Sequence, residues 1–372
     1  MTTYTRKYDR TIFLLTVFLI ALGTVMLYSA SSMIAMEKYG NSGFFLKKHL
    51  MRLLLGVMLL IVMMRFDYRK MERLSPVIFI GSIVLLLITL MYYWTRNIDT
   101  PARWLPLGAF TLQTSDVAKM AVIIYLAAYI AQREDDIRNF KHGLLPAIIM
   151  VSICTGLVVL QPDFSTAMTI GFIAFFLLYL GRAKIIHLAT LAGVFGLAAM
   201  AVVLRSPYKL ERITTFMNPS ADILDSGYQI QQSLISLGNG GLFGLGLGDS
   251  FEKNLFLPEP HTDFIFAILG EELGFIGTAL VLFLFLIFYL QTLKIARRSR
   301  DLFGMYVAAG IGTSIFIYAV LHAGVVTGIF PTTGLPMPFI SYGGSQLVTT
   351  LAGVGIILNI SRQGKPSGDL KS

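Results

Sequence analysis

Apolar residues in this chain come in long, nearly unbroken runs, not in the short alternations of a soluble sheet or the one-sided stripes of a surface helix. Ten runs of about 17 residues or more have the length of a membrane-spanning helix. They cover residues 11–30, 50–66, 76–95, 116–132, 144–160, 165–181, 185–204, 263–293, 302–329 and 341–361. The pattern predicts an all-α polytopic membrane protein, a bundle of about ten transmembrane helices forming a single domain over residues 1–372. One long polar segment interrupts it, residues 205–262 between the seventh and eighth runs. Within that segment, residues 226–239 have helical amphipathicity. Ile230, Leu234 and Leu237 share one face and Gln229, Gln232, Ser233 and Ser236 another, which predicts a helix lying in the membrane interface. A second irregular stretch, Phe330–Pro338 followed by Ser341-Tyr342-Gly343-Gly344-Ser345, holds too much proline and glycine for a regular helix. It reads as a re-entrant or cap-like loop, tolerated at membrane depth only where protein or a wet cavity satisfies its backbone.

Composition agrees. The chain is 55% hydrophobic and 14% charged, against about 25% charged in an ordinary soluble domain. The net charge of +9 gathers in no soluble basic domain, so nucleic acid is not an expected partner. Placed on alternate sides of the ten runs, Lys and Arg favour the side of the two termini by roughly two to one, and Lys294–Arg300 (KIARRSR) is the clearest cluster. Short basic loops stay in the cytoplasm, so both tails (1–10 and 362–372) are expected inside and the 205–262 loop outside. Residues 96–115, 161–164 and 330–340 fall outside with it. Cys154 is the only cysteine, which excludes an intrachain disulfide. The first apolar run has the length of a span, so no cleavable signal is expected.

The stretch most at odds with lipid is Asn218–Gly277, which runs from the outer loop into a span whose beginning carries Asp263, Glu271 and Glu272. An acid at a helix centre costs roughly 2.5–3.5 kcal/mol on insertion scales, so each needs a reason to be there. Asp263 follows a Pro-Glu-Pro-His-Thr turn. It fits either an acid favoured by the helix dipole or a carboxylate at the mouth of an outward-facing cavity, able to take a proton from a hydroxyl. Glu271 is about 80° around and roughly 12 Å along the helix, too far to pair with Asp263, and Glu272 points the other way. Both are expected to meet cations from other helices or to line a cavity wall. Lys119 lies one turn into the fourth span, where it either snorkels or pairs with Asp116 or Asp163. A cluster of Lys119, Asp163, Asp263 and Glu271 would mark a functional site. Arg103 and Lys253 are candidate phosphate contacts, and Trp104 suits a membrane-interface belt. The glycine run 238–248 lacks the Gly-Lys-Ser/Thr of a phosphate loop and reads as a tightly turning surface loop. His322 reads as structural, and no metal-ligand spacing is present.

Several of these segments together resemble the SEDS family of cell-wall glycosyltransferases (shape, elongation, division and sporulation proteins). They are Arg103-Trp104 with Gln113-x-Ser115-Asp116-x-x-Lys119, Gln161-Pro162-Asp163, Gly227-Tyr228-Gln229, Leu257-Pro258-Glu259-x-His261-Thr262-Asp263, Glu271-Glu272-Leu273-Gly274 and Pro338-x-x-Ser341-Tyr342-Gly343-Gly344-Ser345. The resemblance covers essentially the whole chain. Within the family, Gln232-Ser233-Leu234, Gly246-Leu247-Gly248-Asp249-Ser250 with Lys253, and Pro331-Thr332 look more like the division branch than the elongation branch, with the sporulation branch close by. Many relatives have Gln-Pro-Ser-Glu where this chain has Gln113-Thr114-Ser115-Asp116, which keeps the acid on a shorter side chain and loses the proline.

The resemblance implies inverting polymerisation of lipid II, the undecaprenyl-pyrophosphate disaccharide-pentapeptide, into β-1,4 glycan strands at the outer face of the bacterial cytoplasmic membrane. It implies septal action beside a class B penicillin-binding transpeptidase and other divisome proteins. Asp263 matches the acid regarded as catalytic. The substrate-binding set expected with it is Arg103, Trp104, Lys119, Asp163, Gln229, Lys253, His261, Glu271 and Ser341. Arg103, Lys119, Lys253, or a divalent cation (Mg or Mn) held by carboxylates, would offset charge on the leaving group. The rival readings are a lipid II flippase, for which the inner halves of the spans are too bland, and a non-catalytic scaffold for the transpeptidase.

Overall fold

The structure, a computed structural model, describes residues 8–96, 103–108, 110–217, 226–253, 257 and 260–364. Helices α1 (Arg10–Tyr39), α2 (Phe44–Arg65) and α3 (Tyr68–Arg96) lead to a hairpin of β1 (Trp104–Leu107) and β2 (Phe110–Gln113). Then come α4 (Thr114–Gln132), α5 (Leu145–Leu160), α6 (Phe164–Leu180), α7 (Ile185–Leu204), α8 (Pro207–Met217) and α9 (Ser226–Gly240). The chain closes with α10 (Ile265–Arg297), α11 (Leu302–Val326) and α12 (Gly344–Gln363). Ten of these helices coincide with the ten apolar runs. Among the described residues, eight helical segments are long and apolar enough to cross a membrane. Beside them stand α2, whose first half carries Lys47, Lys48 and Arg52, and α6, with 17 residues. The Asp9 N–H donates to Ser361 Oγ at 3.0 Å, so the start of α1 and the end of α12 share one end of the bundle, as an even number of crossings requires.

The core gathers around α4, α11 and α12, whose apolar windows are 78%, 78% and 72% buried. At the other extreme is α7, where Leu188 alone is buried and Ile185 and Leu197 stand open to lipid. Two breaks in regular geometry are repaired locally. Pro76 lies inside α3 and has no N–H to give to the Glu72 carbonyl one turn back. The Ser75 hydroxyl donates to that carbonyl instead, at 2.8 Å. In α10 the helix breaks at Gly274 (φ 68°, ψ −172°). The break frees two carbonyls and two N–H groups, all of which bond the glycine run that follows α9. Glu271 and Glu272 carbonyls accept from Leu245 and Gly246 N–H (2.9 and 3.1 Å), and Phe275 and Ile276 N–H donate to Gly241 and Leu242 carbonyls (2.9 and 3.2 Å). Gly241, Gly244, Gly246 and Gly248 all have positive φ, the tight turning expected of this run. Gly244 and Gly274 approach so closely that a Cβ on either would strike the other segment's backbone.

The stretch 327–343 is irregular, as its prolines and glycines predict, and it enters the core. Leu335, Met337, Phe339 and Ile340 are buried. The Phe339 ring packs on Phe285 and Phe288, with centroids 6.3 and 5.9 Å away. Its backbone is held by Met337 N–H to Ser341 Oγ (2.8 Å), Gln346 Nε2 to the Pro336 carbonyl (2.9 Å) and His322 Nδ1 at the Leu335 carbonyl (2.9 Å).

Three features differ from the sequence pattern. The outer segment 96–115 contains a β-hairpin, with Trp104 opposite Gln113, and the start of the long loop forms α8. Helix α9 exists, but its buried face is Gly227, Ile230, Ser233, Ser236 and Gly240, while Leu234 is exposed. Its serines turn inward because they have bonds to make there: Ser233 Oγ donates to the Val326 carbonyl (2.9 Å) and Ser236 Oγ to the Ala267 carbonyl (3.1 Å).

On α1, a Cβ at Gly23 would collide with the Phe339 carbonyl and lie 2.6 Å from Ile340 Cα. Overpacking of this kind costs about 1–3 kcal/mol. Gly23→Leu is therefore expected to lower the melting temperature in detergent by several degrees; an unchanged melt would show that the inserted loop is free to move away.

Candidate active site

At the end of the bundle opposite the one shared by the start of α1 and the end of α12, the polar residues fall into three groups, each placed by a different joint between elements. The first surrounds the start of α4. Lys119 Nζ lies 3.2 Å from Asp116 Oδ1, one turn away, and 3.9 Å from the centre of the Tyr318 ring. The other oxygen of Asp116 accepts from Ser345 Oγ (3.0 Å), which accepts from the Gln113 N–H (3.0 Å). Gln113 Nε2 and Ser115 Oγ both donate to Asp163 Oδ2, at 2.9 and 2.8 Å. The remaining oxygen of Asp163 caps α6 at the Thr166 N–H. This network joins the hairpin, α4, the 161–164 turn and α12. Lys119 is 5% exposed, so it pairs and does not snorkel. The cavity beside it, bordered by Tyr318, Gln346 and Thr350, measures about 10 Å³, room for about one water and no sugar.

The second group flanks the break in α10. Glu271, fully buried, meets no cation among the described residues; it accepts from Ser236 Oγ (3.0 Å), Ser250 Oγ and the Phe251 N–H (3.0 Å). Glu272 receives Lys253 Nζ at 2.8 Å and the Ser29 hydroxyl from α1. Lys253 also donates to Ser29 and to the Gly248 carbonyl and is 5% exposed. Lys253, a candidate phosphate contact from the sequence, pairs here with Glu272 and ties the segment after α9 to α1 and α10. Nearby Glu252 is held above the usual carboxylate range by its burial first and by the Glu271 charge second.

The third group contains Asp263, on the turn before α10, half-buried. Its carboxylate faces the irregular loop, where a Cβ on Gly334 would lie 3.8 Å from Asp263 Oδ2. Two residues earlier, His261 gives its carbonyl to the Tyr342 N–H (2.9 Å). Its ring meets Phe45 at 4.4 Å and Tyr342 at 5.6 Å between centroids. Arg52 lies over Tyr342 at 4.6 Å. Arg52 and Trp104 both lie against the Cβ position of Gly344, and Trp104 is 37% exposed.

The expected four-residue cluster is thus divided. Lys119 and Asp163 share the first network, Glu271 belongs to the second, and Asp263 stands with the aromatic wall. Ser341 holds the loop by accepting from Met337. Gln229 is half-buried on α9. Arg103 donates to the Pro162 carbonyl on the turn after α5. Sequence reasoning missed Arg52, Phe45 and Tyr318. Only Tyr318 left a signal, its spacing of four from His322 on a single face of α11. No group of three or more His, Cys, Asp or Glu among the described residues could hold a metal ion.

Comparison with known proteins adds a lineage. A family model described as a cell cycle protein (FtsW, RodA, SpoVE) matches residues 9–366. Stage V sporulation protein E of Bacillus subtilis is 39% identical over 363 residues, covering 97% of this chain and 99% of that protein. A probable peptidoglycan glycosyltransferase FtsW of Trichlorobacter lovleyi is 39% identical over 355 residues, covering 95% and 93%. Among solved structures, the rod shape determining protein RodA of Thermus thermophilus superposes with a TM-score of 0.72 at 26% identity, covering 96% and 98% of the two chains. A chain from a peptidoglycan synthase complex that coordinates polymerization and crosslinking reaches 0.79 at 27%, covering 95% and 98%.

Removing one partner of a buried ion pair strands the other charge and costs about 3–5 kcal/mol. Lys253→Met and Glu272→Gln are each expected to destabilise the folded protein by that order, while the double variant loses less than the sum of the two. Additive losses in a thermal-denaturation cycle would show that the pair is not coupled.

Proposed function

This chain belongs to the FtsW/RodA/SpoVE family, and from that membership together with the geometry we propose that it polymerises lipid II into β-1,4-linked glycan at the outer face of the bacterial cytoplasmic membrane. The observation that carries the reading is the state of the acids. Asp116, Asp163, Glu271 and Glu272 are 2%, 4%, 0% and 1% exposed. Asp263 is the acid of this set that keeps partial access, beside an aromatic wall and an irregular loop at the bundle's outer end.

In this reaction the acceptor sugar's 4-hydroxyl attacks the anomeric carbon of the lipid-linked donor chain, and the bond from that carbon to the diphosphate breaks with inversion. Asp263, acting as the base, takes the hydroxyl proton, and positive charge steadies the diphosphate as it departs. His261 and Tyr342, joined by a backbone hydrogen bond and packed on Phe45, set the turn that carries Asp263. Trp104 offers its partly exposed ring as a face for a sugar, and Gln229 an amide from α9. Lys119, Asp163, Glu271 and Lys253 act behind this surface, fixing the helices that shape it. Apolar grooves between spans take the polyprenyl tail, so a soluble catalytic domain is not needed.

The basic loop 294–300 and the shared end of the termini support a topology with both tails in the cytoplasm. The likeness to a chain of a peptidoglycan synthase complex supports work beside a class B penicillin-binding transpeptidase and other divisome proteins at the septum. A fluorescent fusion is expected to gather at midcell; an even distribution along the side wall would overturn the septal role.

Asp263→Asn in purified, monodisperse protein is expected to reduce lipid II polymerisation by about 10²–10⁴-fold, the range assigned to loss of a general base. The measure is glycan length on a gel, with and without the transpeptidase. Polymerisation at the wild-type rate would end the base assignment.

A further inference from the structure

The departing diphosphate needs cations, and the ammonium groups of Lys119 and Lys253 are both enclosed and paired. Two elements far apart in sequence bring other basic side chains to the turn that carries Asp163. Arg103, just before β1, donates through its terminal nitrogen to the Pro162 carbonyl, while its Nε is buried without a hydrogen-bond partner. Lys209, in the first turn of α8, places Nζ 5.0 Å from the centre of the Phe164 ring. Pro162 and Phe164 belong to the single turn between α5 and α6, so the two cations meet across it. Their charges feel each other: Lys209 is held below the ordinary lysine range, by burial first and by Arg103 second.

No acid among the described residues forms an ion pair with either. Among the described residues the ion pairs are Arg69–Asp301, Lys119–Asp116 and Lys253–Glu272, and neither Arg103 nor Lys209 takes part. Asp163 sits on the same turn, but both its oxygens point inward to Gln113, Ser115 and the Thr166 N–H. Glu211 is exposed two positions past Lys209, roughly 200° around the helix. Two like charges brought together, partly desolvated and without a counter-charge among the described residues describe a place for an anion.

The surroundings say what kind. On α8, Leu210, Ile213 and Met217 present apolar side chains outward, at 39%, 36% and 79% exposure, the pattern of a helix lying in the membrane interface. An anion reaching Lys209 at that depth arrives on a lipid. The helix is also linked to the reaction centre: Arg212, one turn beyond Lys209, donates to the Thr332 carbonyl at 3.0 Å, two residues before the Gly334 that faces Asp263. A guanidinium fork beside an ammonium suits two linked phosphoryl groups better than one. We propose that Arg103 and Lys209, meeting over the Pro162–Phe164 turn, hold the diphosphate of a polyprenyl-linked sugar. This rests on the polymerase reading and adds Lys209 and α8 to its substrate-binding surface.

The test is binding of geranylgeranyl diphosphate to the full-length protein in neutral maltoside micelles, with geranylgeraniol and dioleoylphosphatidylglycerol as separate competitors. The wild-type protein and Asp263→Asn should bind the diphosphate alike, and the alcohol should not compete. Arg103→Gln and Lys209→Gln should each weaken binding by about tenfold or more, the value of a lost charge-assisted hydrogen bond, while Lys209→Arg retains it with the same melting temperature. Unchanged affinity in both glutamine variants would overturn the proposal. So would phosphatidylglycerol competing as well as the diphosphate, which would make this a seat for bulk lipid headgroups. If the wild-type protein polymerises lipid II but does not bind the probe, the pocket is refuted and the polymerase reading stands. If it binds the probe but does not polymerise, with or without the transpeptidase, the polymerase reading fails.

Discussion

A peptide N–H or carbonyl at membrane depth must find a partner inside the protein, because lipid offers none. That requirement is sharpest at Gly274, where α10 breaks and its released backbone groups would otherwise face hydrocarbon. The glycine run after α9 meets the need with four hydrogen bonds, two in each direction. Much of the outer half follows from this splice. It fixes the last turn of the upper segment of α10, sets the directions of Glu271 and Glu272, and draws Ser250 and Lys253 to them. It also fixes the start of the helix against which the Asp263 turn is set.

The same economy governs the charges. An acid inside a bundle is a functional suspect, and here exposure divides the suspects. Glu271 accepts from two hydroxyls and a backbone N–H, one oxygen of Glu272 from a lysine and a serine, Asp116 from a lysine and a serine, and Asp163 from a side-chain amide, a hydroxyl and a helix end. These groups hold helices in register. Asp263 keeps partial exposure in a setting of rings and irregular backbone, which suits a group that must exchange a proton with a visiting sugar.

The sequence made the spans plain, because length and apolarity are local properties and hydrocarbon thickness is fixed. The irregular loop at 330–343 was equally plain from its prolines and glycines. What escaped depended on partners remote in the chain. The Trp-Leu-Pro-Leu of β1 carries a proline, which argues against a strand, and only pairing with β2 makes it one. The polar face of α9 reads as water-facing until Glu271 is placed beneath it and needs donors. Lys253 looks like a free cation because its partner is on another element. Gly274, in an apolar run, gives no local sign that the helix breaks there. For Lys119 the sequence left snorkelling, Asp116 and Asp163 all open, and the structure pairs it with Asp116, one turn away on the same helix.

Gly244 and Gly274 each occupy the space where the other would carry a side chain. They are separated by an interfacial loop, yet they form one inherited unit. Neither position can drift to alanine while its counterpart keeps its path, so change at this seam has to come as a paired event. A family in which one of the two glycines has been replaced would then have rebuilt the crossing itself, with a differently bent helix and a differently threaded loop.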